Sequence, residues 1–594
     1  MHPSFTRPRA VTLGVGLGAL VVFTALASTS CGTTNGSGFS LDGGSDGTPP
    51  PDDANPFPDD NNLFGDGQGG DGGSCIKCSG DLHSILDCNN NVISTCPPTQ
   101  GCAGGVCVPA CDAAKANKSS VGCDYYAVPA TDFVSQTCFA AFVSNTWGNP
   151  VQVTVGRGSQ TYNNVGFIPQ GSGIGITYTP LVNNTIPTGS VAIFFLSVDS
   201  GTCPKTPAVT GNASTPGTAI TDGWHITTDA PVVAATIFPY GGGSSAVTGA
   251  TLLLPTSAWD DNYVATAAWS ETGFGNPWIA VVAQENATDV TIVPTSAIVG
   301  GGAVTAGAAN VPKTYTLQKG QVMRLQQPQD LSGSVLKATK PIGSWGGHGC
   351  TNIEAAACDG MHQQIPPVKA LGSEYAAVRY RGRTQDPDES VPWRLVGAVN
   401  GTQLTWKPEA PAGAPETIDL GQVVEFSSPG PFVVSSQDDK HPFYLSAYMT
   451  SGELFNDEGD PEWVNVVPPA QFLDNYVLFT DPTFPETDIV VIRTPSKADG
   501  SFADVTLDCV GALAGWQPLG PYEYTRVDLV TGNFVDIGNC SNGRHEMSSA
   551  LPFGVTVWGW GSNAAMGTKF VSYAYPAGAS VQPINDVVVV PDPK

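Results

Sequence analysis

Positive charge is what this 594-residue sequence has least of: 25 Lys and Arg stand against 52 Asp and Glu, for a formal net charge of −27. That balance excludes nucleic acid as a partner, because neutralising phosphates takes Lys and Arg. Only 13% of residues are charged, whereas Gly (70) and Pro (49) are frequent. Short strands joined by tight turns fit this composition, and little room is left for helices. Histidine is rare (7) and no HExxH occurs, so a helical zinc-protease site is excluded. The one GxSxG, Gly43 to Gly47, has no strand-to-helix turn around it to strain Ser45 into a nucleophile.

The only long apolar run is Val11 to Ala27, behind Arg7 and Arg9 and ahead of small residues ending at Cys31. Residues 1–31 read as an export signal. Cys31 resembles a bacterial lipoprotein cleavage site, where the thiol takes lipid and becomes the mature first residue; Ser28 replaces the usual Leu. Residues 32–74 carry eight Asp and no Lys or Arg. This segment cannot bury enough apolar surface to offset its ordering entropy and reads as a disordered acidic Gly/Asp/Pro tether. Its Asp-rich "DGQGGDG" lacks the ligand order of a calcium loop.

Cysteine counting agrees with export. Setting Cys31 aside leaves Cys75, Cys78, Cys88, Cys96, Cys102, Cys107, Cys111, Cys123, Cys138, Cys203, Cys350, Cys358, Cys509 and Cys540, an even number of disulfide candidates. The first eight crowd into a stretch with almost no apolar run, so residues 75–121 read as a disulfide-rich module that needs staples. Pairing by neighbourhood joins Cys138 to Cys203, Cys350 to Cys358, and Cys509 to Cys540. Cys75 and Cys78 form a CxxC, but neither a βαβ pattern nor a set of imidazoles accompanies it.

From residue 122 onward one skeleton returns four times. A tyrosine strand (Tyr126, Tyr263, Tyr375, Tyr476) is followed about 28 to 30 residues later by a Val-Thr strand (Thr154, Thr291, Thr405, Thr506). A turn glycine (Gly189, Gly320, Gly421, Gly532) comes next, then a proline (Pro231, Pro341, Pro442, Pro552). A fixed period is the mark of a repeat architecture. The expected fold is all-β: four tandem repeats of short antiparallel strands at about 122–245, 250–350, 366–452 and 468–594. Separate sandwiches and a closed, propeller-like ring both satisfy the pattern. The recurring tyrosines are expected at equivalent positions that pack repeat junctions.

Between the second and third repeats lies "GHGCTNIEAAACDGMHQQIPPVKALGSEY". Its Cys350, Cys358, Asp359, Met361, Gln364, Pro366 and Pro367 resemble the motif of the IgGFc-binding protein N-terminal region family, over roughly Tyr126 to Tyr575. The family usually carries His after the Asp, where this chain has Gly360. The resemblance implies an extracellular, non-enzymatic binding or adhesive domain; antibody binding is not implied. His348, His362, Glu354, Asp359 and Glu374 lie in the same stretch, yet their spacing suits a structural loop better than a metal site.

The expected protein is therefore a binding or adhesion protein of the cell surface, exported and anchored in the outer membrane by lipid at Cys31, or else secreted. Its partners would be an extracellular protein or glycan, and no cofactor or metal is expected. The alternative is a secreted hydrolase acting on polysaccharide or peptide through carboxylates such as Asp260, Asp261, Asp359 or Glu374.

Overall fold

Alternation of apolar and polar side chains makes Val151–Arg157 a strand with one buried face: Val151, Val153 and Val155 are inside while Gln152 and Thr154 are exposed. Continuous apolar runs such as Phe139–Asn145 and Val191–Val198 are instead buried on both faces. The computed structural model describes residues 76–591, apart from 130–137, 200, 212–216, 243–244, 270–273, 386–388 and 566. The export signal, Cys31, the tether, Ser45 and Cys75 lie outside the described residues. Those that are described form mostly curled antiparallel sheets.

The recurring prolines mark places where one long strand exchanges partners. In Trp224–Phe238, the half before Pro231 pairs with the tyrosine strand Val121–Ala127 and the Val-Thr strand Val151–Arg157. The half after it pairs with Phe139–Asn145 and Gly249–Leu252. Val335–Asn352 does the same about Pro341, using Asp260–Val264 and Thr288–Val293 before it, Pro277–Ala283 and Cys358–Ile365 after it. Gly543–Trp560 exchanges Leu473–Thr480 and Val505–Leu507 for Glu486–Arg493 and Ser572–Pro576 around Pro552. Around Pro442 the strand is split into Phe432–Ser435 and Phe443–Met449, with the same division of partners. Proline lacks the N–H that a ladder would require, so it fits the point where the ladder to the tyrosine strand is interrupted by a register shift, resuming beyond it with pairs such as Val232 and Gly122.

Three of the four tyrosines clamp these bends. Tyr375 Oη donates to Phe443 O (2.6 Å) and accepts from Gly372 N (3.0 Å). Tyr476 does so with Phe553 O (2.5 Å) and Leu473 N (3.0 Å), and Tyr263 with Ile342 O (2.7 Å) and Asp260 N (3.2 Å). In each case the acceptor is the residue after the proline and the donor lies three residues before the tyrosine. In the first segment the clamp is Tyr125, whose hydroxyl donates to Val232 O (2.6 Å), one residue earlier than the expected Tyr126. The sequence offers two adjacent tyrosines there, and only the bend selects between them. Tyr126 instead stacks on His225 (4.4 Å) and reaches Trp259 (5.7 Å) of the next segment. The clamps thus act within segments, and Tyr126 is the one that packs a junction.

Consecutive segments are joined by arginines. Arg324 donates to Pro129 O, Arg394 to Ala267 O (2.7 Å), and Arg526 to Arg379 O (2.9 Å). Each acceptor stands four residues after a clamping tyrosine. The last segment meets the first through Phe479 against Phe142 (4.4 Å) and Gly173 N on Pro482 O (2.8 Å). Gly249–Leu252, Cys358–Ile365, Glu462–Asn465 and Ser572–Pro576 consequently pack in a closed cycle around a common axis.

The cysteine-dense stretch forms two small hairpin sheets and the helix Ala110–Asn117. Cys78 bonds Cys102, Cys96 bonds Cys107, and Cys111 bonds Cys123; Cys88 is also disulfide-bonded. The Cys75-Cys78 CxxC is therefore not a dithiol. Its thin core is completed by the neighbouring sheet: Trp147 Nε1 donates to Pro98 O (2.7 Å) and the Trp147 ring meets His83 edge-on at 4.2 Å. Farther along, Cys138 bonds Cys203, Cys350 bonds Cys358, and Cys509 bonds Cys540.

Candidate functional site

Inner strands arranged around an axis cannot all pair with one another, so their inward N–H and C=O groups need other partners. Polar side chains provide them. Gln363 Nε2 lies within hydrogen-bonding distance of Trp463 O (2.7 Å), Ala250 O (2.8 Å) and Ala574 O (3.3 Å), one carbonyl from each of the other three inner strands. Glu462 accepts from Trp463 N (2.7 Å) and Ala574 N (3.1 Å). Asp359 accepts from Ser572 N (3.1 Å), and Thr248 Oγ1 donates to Ser572 O (2.6 Å). Asp460 accepts from Gly452 N (3.0 Å).

This polar axis accounts for most of the motif residues. Asp359 stands on the axis and Met361 is fully buried in the core. Gln364 exchanges bonds with the main chain of Leu254, its Oε1 accepting from Leu254 N (2.7 Å). Pro366 borders an apolar cavity at one end of the axis, with Leu252, Leu254, Val466 and Val467. Pro367 precedes a single helical turn, Val368–Ala370. A Cβ on Gly360 would lie 2.6 Å from Val247 O, which explains why no histidine follows Asp359 here. Gln363, Glu462 and Asp460 were not singled out by sequence. Asp460 had a signal, since it stands eight residues before Pro468 as Asp359 does before Pro367.

The remaining candidates do not converge on a catalytic cluster. Asp261 pairs with Lys337 (2.6 Å) and Asp260 with Lys369 (3.5 Å). Glu374 accepts from Ser435 Oγ (2.7 Å) and from Tyr522 Oη. His348 Nδ1 accepts from Cys350 N (3.1 Å), while His362 Nε2 faces Thr236 Oγ1 (3.5 Å). Among the described residues Asp508, Cys509 and His545 lie close enough to suggest a metal site. Cys509 is held in a disulfide, and both ring nitrogens of His545 are engaged, by Asp508 (2.9 Å) and Ser541 O (2.7 Å). A sulfur in a disulfide is not a thiolate ligand, so the trio is structural. Every tryptophan but Trp516 is buried, which removes most of them as exposed ligand contacts.

Burial raises the pKa of Asp460, Asp481 and Asp488 to about 7. It pushes Asp359 and Glu462 well above the carboxylate range, Asp359 also feeling the charges of Asp460 and Glu462. Burial lowers His348 to about 4 and His362 to about 3. A carboxyl raised on folding binds its proton more tightly in the native state, so it adds stability as pH falls through its folded value. The two histidines oppose this only below their unfolded value of about 6.5. The expected outcome is a melting temperature that rises as pH is lowered from 8 to about 5.5. A melting temperature unchanged or lower at pH 5.5 would contradict it.

The IgGFc-binding protein profile matches residues 249–559, from the first inner strand through the long strand around Pro552 and just over half of the chain. The chain belongs to the IgGFc-binding protein family. The profile covers less than the resemblance read from sequence and leaves out most of the first segment. Human IgGFc-binding protein is 26% identical over 232 residues, 37% of this chain but only 4% of that protein. No solved structure matches. Family membership suggests an extracellular binding protein, and the disulfides point the same way. Among the described residues no helix is long and apolar enough to cross a membrane.

Proposed function

We propose that the protein is an extracellular, non-enzymatic adhesion protein, held to the cell surface by lipid at Cys31 and built on four tandem β units. The observation that carries this reading is the filled polar axis, where the family motif satisfies main chain rather than lining an open cleft. Contact with a partner then falls to the connections after the long strands, at one end of the axis. These loops bond to one another: Ser451 N to Ile353 O (3.1 Å), Ala356 N to Glu453 Oε2 (3.0 Å), and Gly459 N to Gly561 O (3.0 Å). Beside the Cys350–Cys358 loop, Phe274 (61%) and Leu454 (49%) are exposed, flanked by exposed Glu354 and Glu453. Exposed large apolar groups rimmed by charge suit a protein or glycan partner.

The test is binding of the full-length protein to a glycan array and to immobilised immunoglobulin Fc, with mass spectrometry of the mature N-terminus. A Leu454→Ser/Glu453→Gln variant is expected to lose at least tenfold in affinity for whichever probe binds, and the mature chain to begin at a lipid-modified Cys31. Binding unchanged in that variant would rule out the loop face. Release of hydrolysis products from an arrayed glycan would overturn the non-enzymatic reading, and an unlipidated N-terminus the anchor.

A further inference from the structure

The last described segment, 577–591, contains no strand, yet it is held closely along its length. Ser580 N donates to Gln471 O (2.9 Å), Val581 N to Lys118 O (2.7 Å) and Ile584 N to Lys369 O (2.8 Å). Gln471 Nε2 donates to Gln582 O (2.8 Å). Asn585 Nδ2 donates to Val368 O (2.9 Å) and Leu371 O (3.0 Å). Asn262 grips the main chain of Val589 from both sides, accepting from its N–H (2.7 Å) and donating to its C=O (2.8 Å). The partners come from four separate parts of the chain, around the end of the axis opposite the loop face.

Side-chain burial along the segment is selective. Val581 (5%), Asn585 (7%) and Val589 (5%) are buried, whereas Pro583, Asp586, Val588 and Val590 are exposed. Main-chain atoms therefore supply much of the recognition, and the rest comes from buried side chains, Ala577, Ala579 and the evenly spaced Val581, Asn585 and Val589, and from Gln582 Nε2 donating to Asn117 O (2.6 Å). Such a groove reads an extended peptide, as sheet-edge sites do, with side-chain amides standing in for a neighbouring strand. The segment takes part in no sheet; its one β pairing is the isolated bridge of Ser580 with Ser119, so it can leave and return without breaking a sheet ladder.

We propose that this groove is an extended-peptide site occupied by the chain's own C-terminal segment, and that the C-terminal segment of a second copy can occupy it in trans. The contacts are the same in both arrangements, so concentration decides between them. The cis segment competes at an effective concentration on the order of millimolar. Exchange between copies is thus suppressed in dilute solution and favoured where copies are crowded.

The test uses full-length protein and a fluorescent synthetic peptide of residues 577–590. Weakening the resident segment with Asn585→Ala and Val589→Ala should tighten peptide binding at least tenfold over the unaltered protein, and adding Asn262→Ala should abolish that gain. The idea is overturned if the weakened variant keeps its β-sheet circular dichroism but takes up no peptide, or if a scrambled peptide binds as well. Should the variant lose its β-sheet signal, hydrogen exchange on the unaltered chain decides. Amides of Val581, Ile584 and Val589 should exchange at least tenfold faster than that of Met361 beside the axis. Exchange of all four at one rate would mean the segment opens only with the whole fold, and the proposal fails.

Discussion

Gln363→Leu is expected to destabilise the whole ring by about 3 kcal/mol or more, although it keeps side-chain volume and adds apolar surface. The Gln363 amide faces the carbonyls of Ala250, Trp463 and Ala574, which lie too deep for water to replace it. Leaving a buried acceptor unsatisfied costs roughly 1–3 kcal/mol, and three are exposed to that loss. Because the three belong to different segments, urea unfolding should move as one transition with a lower midpoint. Gln363→Glu should be worse at pH 8, since a carboxylate cannot donate and sits beside buried Asp359 and Glu462, and should recover in part at pH 5.5. A midpoint within experimental error of the parent for Gln363→Leu would show that the amide does not hold the inner strands together.

The second large effect concerns the bend clamps. Tyr375→Ala removes a fully buried aromatic side chain that meets Phe443 at 5.0 Å, and a loss of roughly 3–5 kcal/mol follows from comparable core truncations. Tyr375→Phe keeps the ring and removes the hydroxyl that bridges Gly372 and Phe443, so about 1–3 kcal/mol is expected from that bridge alone. The neighbours Tyr125 and Tyr126 give the sharper test. Tyr125→Phe should behave like Tyr375→Phe. Tyr126→Phe should be close to neutral, because the Tyr126 hydroxyl makes no hydrogen bond among the described residues while its ring stacking survives. Equal losses in the two phenylalanine variants would contradict the clamp at Tyr125. These measurements need only thermal or urea unfolding of four variants.

Much of this fold was legible in local text. The Val-Thr strands recur in the text, and so do the prolines, but a proline after a turn glycine reads as the opening of a new strand; only the structure places Pro231, Pro341 and Pro552 at bends inside one long strand each. The clamps at Tyr263, Tyr375 and Tyr476 were visible as a recurring residue, though not their role, since a period reports equivalence and not contact. At Tyr125 and Tyr126 the text was degenerate by one residue, and in a strand one residue moves a side chain to the other face. Tryptophans beside Gly or Pro, as in "NTWGNP" and "VPWRL", suit turn contacts as well as core, and the structure buries all but Trp516. Their burial reflects how far the curled sheets wrap over their own turns, which a sequence window does not contain.

The candidate site divides in the same way. Cys350, Cys358, Asp359, Gln364 and the double proline stood out as a motif, while Gln363 and Glu462 did not, because their partners are carbonyls and amides about 100 residues or more away in places. Sequence by itself determined the β class, the excess of negative charge and the clustering of cysteines, each set by composition or by neighbours within a few residues. Only the tertiary structure decided that the segments close around one axis, that the motif serves that axis, and that the C-terminal segment crosses its end. Those features depend on unpaired main-chain groups brought together from distant parts of the chain, and every residue carries such groups whatever its side chain.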